Sequence, residues 1–264
     1  MKANWKIALM CVAAIAFVAC NNKKDPKGGG GGEEGEYVKP ISVTDNTLAD
    51  WDKLPAEFVV ESVCPQGAAK LGLKSVKAYA DKYYIFLQVE PNPEDIVDLE
   101  WVPFHVYINT DNSDATGGYS DQFKDPNADV LLEGAVFSSS DDAATMAQAA
   151  IPWAPGVFKW WGEVGGSGWQ WTDPSVEHSA DDKWGAIIGE GELQGTTSQF
   201  VDGKIEIEIM RELVPAEKGW SEEQIGLGFD IQQNWSSVGV LPLVSPTEDN
   251  PNGYTNKLVV KIDK

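Results

Sequence analysis

The side chains best suited to chemistry in this chain are oxygen donors and indoles. Asn109, Asp111, Asn112, Asp114 and Asp121 crowd carboxylate and amide oxygens around a turn that carries Gly117 and Gly118. Hard oxygens on such a turn suit Ca²⁺. Asn109, Asp111, Asp114 and Asp121 are therefore the candidate ligands of a structural calcium ion. The loop is not an EF-hand. Counting from Asn109, position 6 is Asp114, where that loop needs Gly, and position 12 is Ser120, where it needs Glu. The same residues also suit a turn whose Asp and Asn side chains cap their own backbone, and both readings stay open.

The chain has 11 tryptophans, and six of them (Trp153, Trp160, Trp161, Trp169, Trp171 and Trp184) fall in one stretch interleaved with Gly162, Gly165, Gly166 and Gly168. An indole face can stack on the C–H face of a sugar, with polar neighbours taking the hydroxyls. Gln170, Asp173, Glu177, Asp181 and Asp182 supply such neighbours. Trp169 and Trp171 are the leading candidates for a carbohydrate platform, followed by Trp160, Trp161 and Trp184. Trp235 is a further candidate, because loops at strand ends carry binding sites. The competing reading of any single ring is burial in the core of an insertion.

Catalytic patterns are missing from the sequence. Gly165-Gly-Ser167-Gly-Trp169 puts Trp where the G-x-S-x-G elbow needs Gly. The two histidines, His105 and His178, stand in no metal-binding spacing, and nothing about Met146, Met210 or His178 favours haem. His105 lies inside an apolar run and reads as a structural residue. The expectation is a protein that is not an enzyme. A glycoside hydrolase is the lesser alternative, because carboxylates are plentiful. Lys and Arg total 20 against 41 Asp and Glu, for a formal charge of −21, and Arg211 is the only arginine. That balance argues against a nucleic-acid partner, whose phosphates need clustered Lys and Arg.

These groups need a scaffold, and from Tyr37 onward the dominant period is two. Runs over 73–80, 82–90, 102–109, 129–137, 204–210, 225–233 and 257–262 read as strands, with Ile205, Ile207 and Ile209 inward and Glu206 and Glu208 outward in one of them. Asp81-Lys82 and Asp202-Gly203 read as tight turns. Only 143–150 and 221–224 suggest short helices. The fold class is all-β, a single large β-sandwich over residues 37–264 with a long Trp/Gly-rich insertion that reads as a decorated loop.

The beginning of the chain reads as an address. Lys2 and Lys6 precede an apolar run from Ile7 to Val18, shorter than the ~20 residues of a membrane span. Residues 1–19 are thus expected to be a signal peptide. Phe17-Val18-Ala19-Cys20 resembles a bacterial lipobox, which implies cleavage before Cys20 and lipidation of it. Residues 20–36, with five consecutive glycines, form an expected flexible tether. Its acidic residues near Cys20 resemble the surface-export signals of Bacteroidetes lipoproteins, diluted here by Lys23, Lys24 and Lys27. The expected location is the outer membrane, on the cell surface or periplasmic face, with membrane contact through the lipid anchor only. Once Cys11 leaves with the signal and Cys20 is lipidated, Cys64 has no intrachain partner.

Three segments carry a resemblance. They are Ile41-Ser-Val-Thr-Asp45 with Asp50-Trp51 and Leu54-Pro55; Val106–Tyr119 continuing to Asn127-Ala-Asp129 and Glu133-Gly134; and 204–210 with Ile225-Gly-Leu-Gly-Phe229. Together they resemble the carbohydrate-binding module family 9-like, or DOMON-like, β-sandwich. Asn46 replaces the usual Gly, and 138–195 departs most. The resemblance implies sugar or, in some branches, haem binding, and it adds weight to calcium. The expected function is a cell-envelope lipoprotein that binds a polysaccharide or oligosaccharide without cleaving it, beside partner transport or hydrolase proteins. The alternative is a structural or adhesion lipoprotein contacting protein through the sandwich.

Overall fold

The computed structural model describes residues 37–120, 123, 127–168, 171–172 and 183–264. The signal, Cys20, the tether, Asp121, Trp169 and the polar candidates Gln170, Asp173, Glu177, Asp181 and Asp182 lie outside the described residues. Lys39–Lys264 forms a single compact unit.

The class is all-β. The described strands are β1 (Val60–Val63), β2 (Leu73–Asp81), β3 (Tyr84–Pro91), β4 (Val102–Asn109), β5 (Val130–Phe137), β6 (Gly156–Trp160), β7 (Trp171–Thr172), β8 (Trp184–Ile188), β9 (Thr196–Val201), β10 (Lys204–Met210), β11 (Gln224–Gln233), β12 (Ser236–Leu241) and β13 (Leu258–Asp263). A one-turn helix, α1 (Met146–Ala149), sits between β5 and β6 and carries a Thr145/Gln148 capping box. The expected helix over 221–224 does not form. Instead the Ser221 hydroxyl accepts the N–H groups of Glu223 and Gln224, closing a serine turn that leads straight into β11.

All the strands join one hydrogen-bonded path, β7-β8-β6-β5-β4-β11-β13-β2-β3-β10-β9, with β1 on β2 and β12 on β11. The sheet is continuous because β13 pairs on both sides. It runs antiparallel to β11, with Ile225 opposite Val260, and parallel to β2, with Ile262 opposite Ala80. The two arms close on a shared core. Phe137 of β5 meets Phe200 of β9 edge-on, with ring centroids 5.7 Å apart. The Trp153 backbone N–H donates to the Ser198 hydroxyl at 2.8 Å.

The stretch from Trp153 to Trp184 is not simply a decorated loop. β6 and β8 extend the sheet from β5, with Leu131 opposite Phe158 and Trp160 opposite Trp184. The outward carboxylates of β10 are not solvated either. A segment at the start of the compact unit covers them: Trp51 donates its indole N–H to Glu206 at 2.7 Å, and Lys39 pairs with Glu208 at 2.9 Å. Gln199 of the neighbouring β9 donates to Glu206 at 2.6 Å. Burial pushes the Glu206 carboxyl above its ordinary range.

Candidate functional site

The tryptophan stretch divides when its rings are placed. Trp160 and Trp184 were expected on a sugar platform, but both are buried, at 7% and 0% exposure. They pack edge to face at 5.2 Å, and Trp184 packs on Tyr107 at 5.7 Å. The interleaved glycines make this possible. A Cβ at Gly118 or Gly162 would run into the Trp160 indole, and one at Gly185 into Trp161. Trp153 is core too, its indole N–H donating to the carbonyls of Phe104 and Gly134. Trp161 is half-buried under the Lys159 ammonium, 4.4 Å from the ring centroid. Trp171 contributes backbone to β7, and its side chain, like all of Trp169, lies outside the described residues.

In the oxygen-rich turn, Asn109, Asp111 and Asp114 are held on nearby partners, while the buried Asn112 Oδ1 has none. The Asn109 amide bonds the Ser113 backbone in both directions, at 2.9 and 3.1 Å. Asp111 accepts the Ser113 N–H at 2.9 Å and the Thr116 hydroxyl at 3.1 Å. Asp114 pairs with Lys257 at 2.9 Å, and that hydrogen bond holds its carboxyl below the usual range. A calcium ion there would have to take these oxygens from their present partners. Among the described residues, no group of three or more His, Cys, Asp or Glu is placed to hold a metal. Asp121, the fourth candidate ligand, lies outside them.

A polar row crosses the middle of the sheet. His105 of β4 stands opposite Glu133 of β5 and Asp230 of β11. Its Nε2 is 2.8 Å from Glu133, and its Nδ1 is 3.5 Å from Asp230. Asp230 also accepts from Gln232 at 2.7 Å and from the Ser237 hydroxyl, and burial pushes its carboxyl up. His105 and Asp230 are almost wholly inaccessible. The row therefore ties strands together and offers nothing to a ligand in solution.

The end of the sheet where β11 turns into β12 is different. Gln233 pairs with Ser236, so Asn234 and Trp235 form a two-residue hairpin loop with φ of 47° and 61°. Both central residues are left-handed, the conformation of a type I′ turn, which normally takes Asn-Gly or Asp-Gly. The β9–β10 hairpin makes the same loop with Asp202 and Gly203, at φ of 50° and 78°. Trp235 thus occupies a position suited to glycine, at a backbone cost of about 1 kcal/mol or more. Its side chain gains no burial in return, remaining 74% exposed.

Two neighbouring loops support this tip. The register places the start of β4 beside the end of β11 and the end of β5. In the 92–101 loop, the Asp98 carbonyl accepts the Gln233 amide at 2.7 Å, fixing the hairpin to the loop. The Leu99 carbonyl accepts the Ser139 N–H at 2.7 Å, and the Glu100 carbonyl accepts the Ser138 hydroxyl at 3.1 Å. The same loop carries Val97, 78% exposed, and Trp101, 41% exposed. This end therefore combines exposed indoles with amides and carboxylates on hydrogen-bonded supports, an arrangement able to stack on and hydrogen-bond a polar ring.

Among the expected platform rings that the structure describes, only Trp235 belongs to this site. Sequence reasoning missed Trp101, Val97 and Asp98. The signal that could have found the tip is the apolar run over 236–241, which was not among the expected strands and which lies two residues beyond the 225–233 run. No family model matches the chain, and no curated protein matches it, so the resemblance stated above rests on its quoted motifs alone.

Proposed function

We propose that this chain is a cell-envelope lipoprotein that binds carbohydrate non-catalytically, with Trp235 as the principal stacking ring. The observation that carries the reading is Trp235 itself, a large indole held in solvent at a turn position suited to glycine. Such strain persists where the surrounding structure enforces it, and it concentrates at ligand contacts. Trp101 supplies a second exposed ring on the adjacent loop, and Asp98, Glu100 and Asn234 supply polar groups for hydroxyls. Partner transport or hydrolase proteins would receive or process the captured glycan.

The test is retention of the full chain in gels or columns carrying a panel of polysaccharides. Trp235→Ala should weaken retention about tenfold, the worth of one stacked ring, with melting nearly unchanged. Unaltered retention in that variant would remove the reading. The anchor is tested separately. A fatty-acid probe should label the wild type and not Cys20→Ser, and equal labelling would end the lipoprotein proposal.

A further inference from the structure

Beside the Trp235 hairpin lies a cleft of about 680 Å³. Its walls come from the end of β3 (Pro91), the 92–101 loop (Ile96, Val97, Leu99), α1 (Met146) and the end of β9 (Phe200). A volume of this size falls within the range of small-molecule sites, which are mostly apolar and largely preformed. The walls are fixed by the backbone. Asn92 donates its N–H to the Gly72 carbonyl at 2.9 Å, and its own carbonyl accepts the N–H groups of Asp95 at 3.1 Å and Ile96 at 3.0 Å. The capping box closes the first turn of α1.

Three charged residues line the cleft: Lys74, Glu90 and Asp202. Glu90 faces Lys204 at 3.4 Å, and Asp202 belongs to the β9–β10 turn. The remaining surface is dominated by aliphatic side chains and proline, with one phenyl ring. What enters is therefore uncharged and apolar. The cleft and the tip share the 92–101 loop. Val97 and Leu99 face the cleft, while the residue between them, Asp98, holds the hairpin that carries Trp235.

We propose that the ligand is an alkyl-bearing glycoside, whose sugar stacks at Trp235 while its aliphatic group enters the cleft lined by Ile96, Val97, Leu99, Met146 and Phe200. This inference rests on the carbohydrate reading of Trp235. A glycolipid and a glycan esterified with short acyl groups both present this chemistry, and the length of the accepted chain separates them.

Isothermal titration of the full chain with methyl, butyl and octyl β-glucosides below their micelle concentrations, and with octanol, tests the proposal. Affinity should rise with chain length, by up to about fourfold for each fully buried CH₂. A rise that stops at butyl assigns short acyl esters, and one that continues to octyl assigns a lipid chain. Val97→Asp at an exposed rim position and Ala147→Phe on the exposed side of α1 should flatten the series without altering melting. Trp235→Ala should lower affinity for all three glucosides by a similar factor and preserve the gradient. A flat series in the wild type, octanol binding as tightly as octyl glucoside, or a gradient untouched by both cleft variants would overturn the proposal. If the series is flat while Trp235→Ala still loses polysaccharide retention, this inference alone falls. If Trp235→Ala changes neither measurement, the carbohydrate reading falls with it.

Discussion

The two hairpins that share one backbone conformation separate what the fold needs from what it carries. At Asp202-Gly203 the left-handed loop has the residues its geometry favours, and at Asn234-Trp235 it does not. Trp235→Gly should therefore melt no lower than the wild type. Relief of about 1 kcal/mol of backbone strain would raise Tm by roughly 2–4 °C, less whatever glycine adds to the entropy of the unfolded chain. The same variant should lose glycan retention. Trp184→Ala provides the opposite case. Its ring is fully buried against Tyr107 and Trp160, so truncation should cost about 3–5 kcal/mol and lower Tm by more than about 6 °C. Calorimetry on the two variants checks both statements, and a drop in Tm for Trp235→Gly would show that the ring is structural.

At the level of elements, β13 carries more than its six residues suggest, because it is hydrogen-bonded to β11 on one side and β2 on the other. Ile262→Ala at the parallel seam should cost about 2–4 kcal/mol, whereas Val259→Ala, 40% exposed on the same strand, should stay within about 0.5 kcal/mol. Urea titration of both variants measures the contrast, and equal effects would argue against the seam as a critical joint. The seven strands legible in the sequence, those over 73–80 and 204–210 among them, carry a strong apolar pattern. The unread strands lack that signal. β9, Thr-Thr-Ser-Gln-Phe-Val, is half-buried at every position, and β6 and β8 hide their alternation behind tryptophans and glycines. The candidate site was legible only through Trp235, because left-handed backbone on an Asn-Trp pair leaves no mark on composition. Trp101, at the start of a strongly apolar strand, could not be told from a core residue without its exposure.

For the whole molecule, the excess of acid has a directional consequence. Burial pushes the carboxyls of Asp129, Glu206 and Asp230 above their ordinary values. The folded chain then binds more protons than the unfolded chain between about pH 4 and those raised values, so stability falls as pH rises through that window. Hydrogen bonds from Lys53 and Lys257 hold Asp50 and Asp114 below the usual range, which works in the opposite sense, but these pairs are solvent-screened and contribute little. Self-repulsion at a formal charge of −21 acts in the same direction as the buried acids. Tm at pH 5 should therefore exceed Tm at pH 7, and Glu206→Gln should narrow the difference. A lower Tm at pH 5 would contradict this account.

The unequal burial of the indoles also gives the protein an intrinsic optical label. Trp51, Trp153, Trp160 and Trp184 are shielded from solvent, while Trp235 is the most exposed indole among the described residues. Buried rings emit toward the blue and Trp235 toward the red, where a neutral quencher such as acrylamide can reach it. A sugar stacked on that ring would shield it and shift the red edge of the emission, so occupancy could be followed in the unmodified chain without a dye.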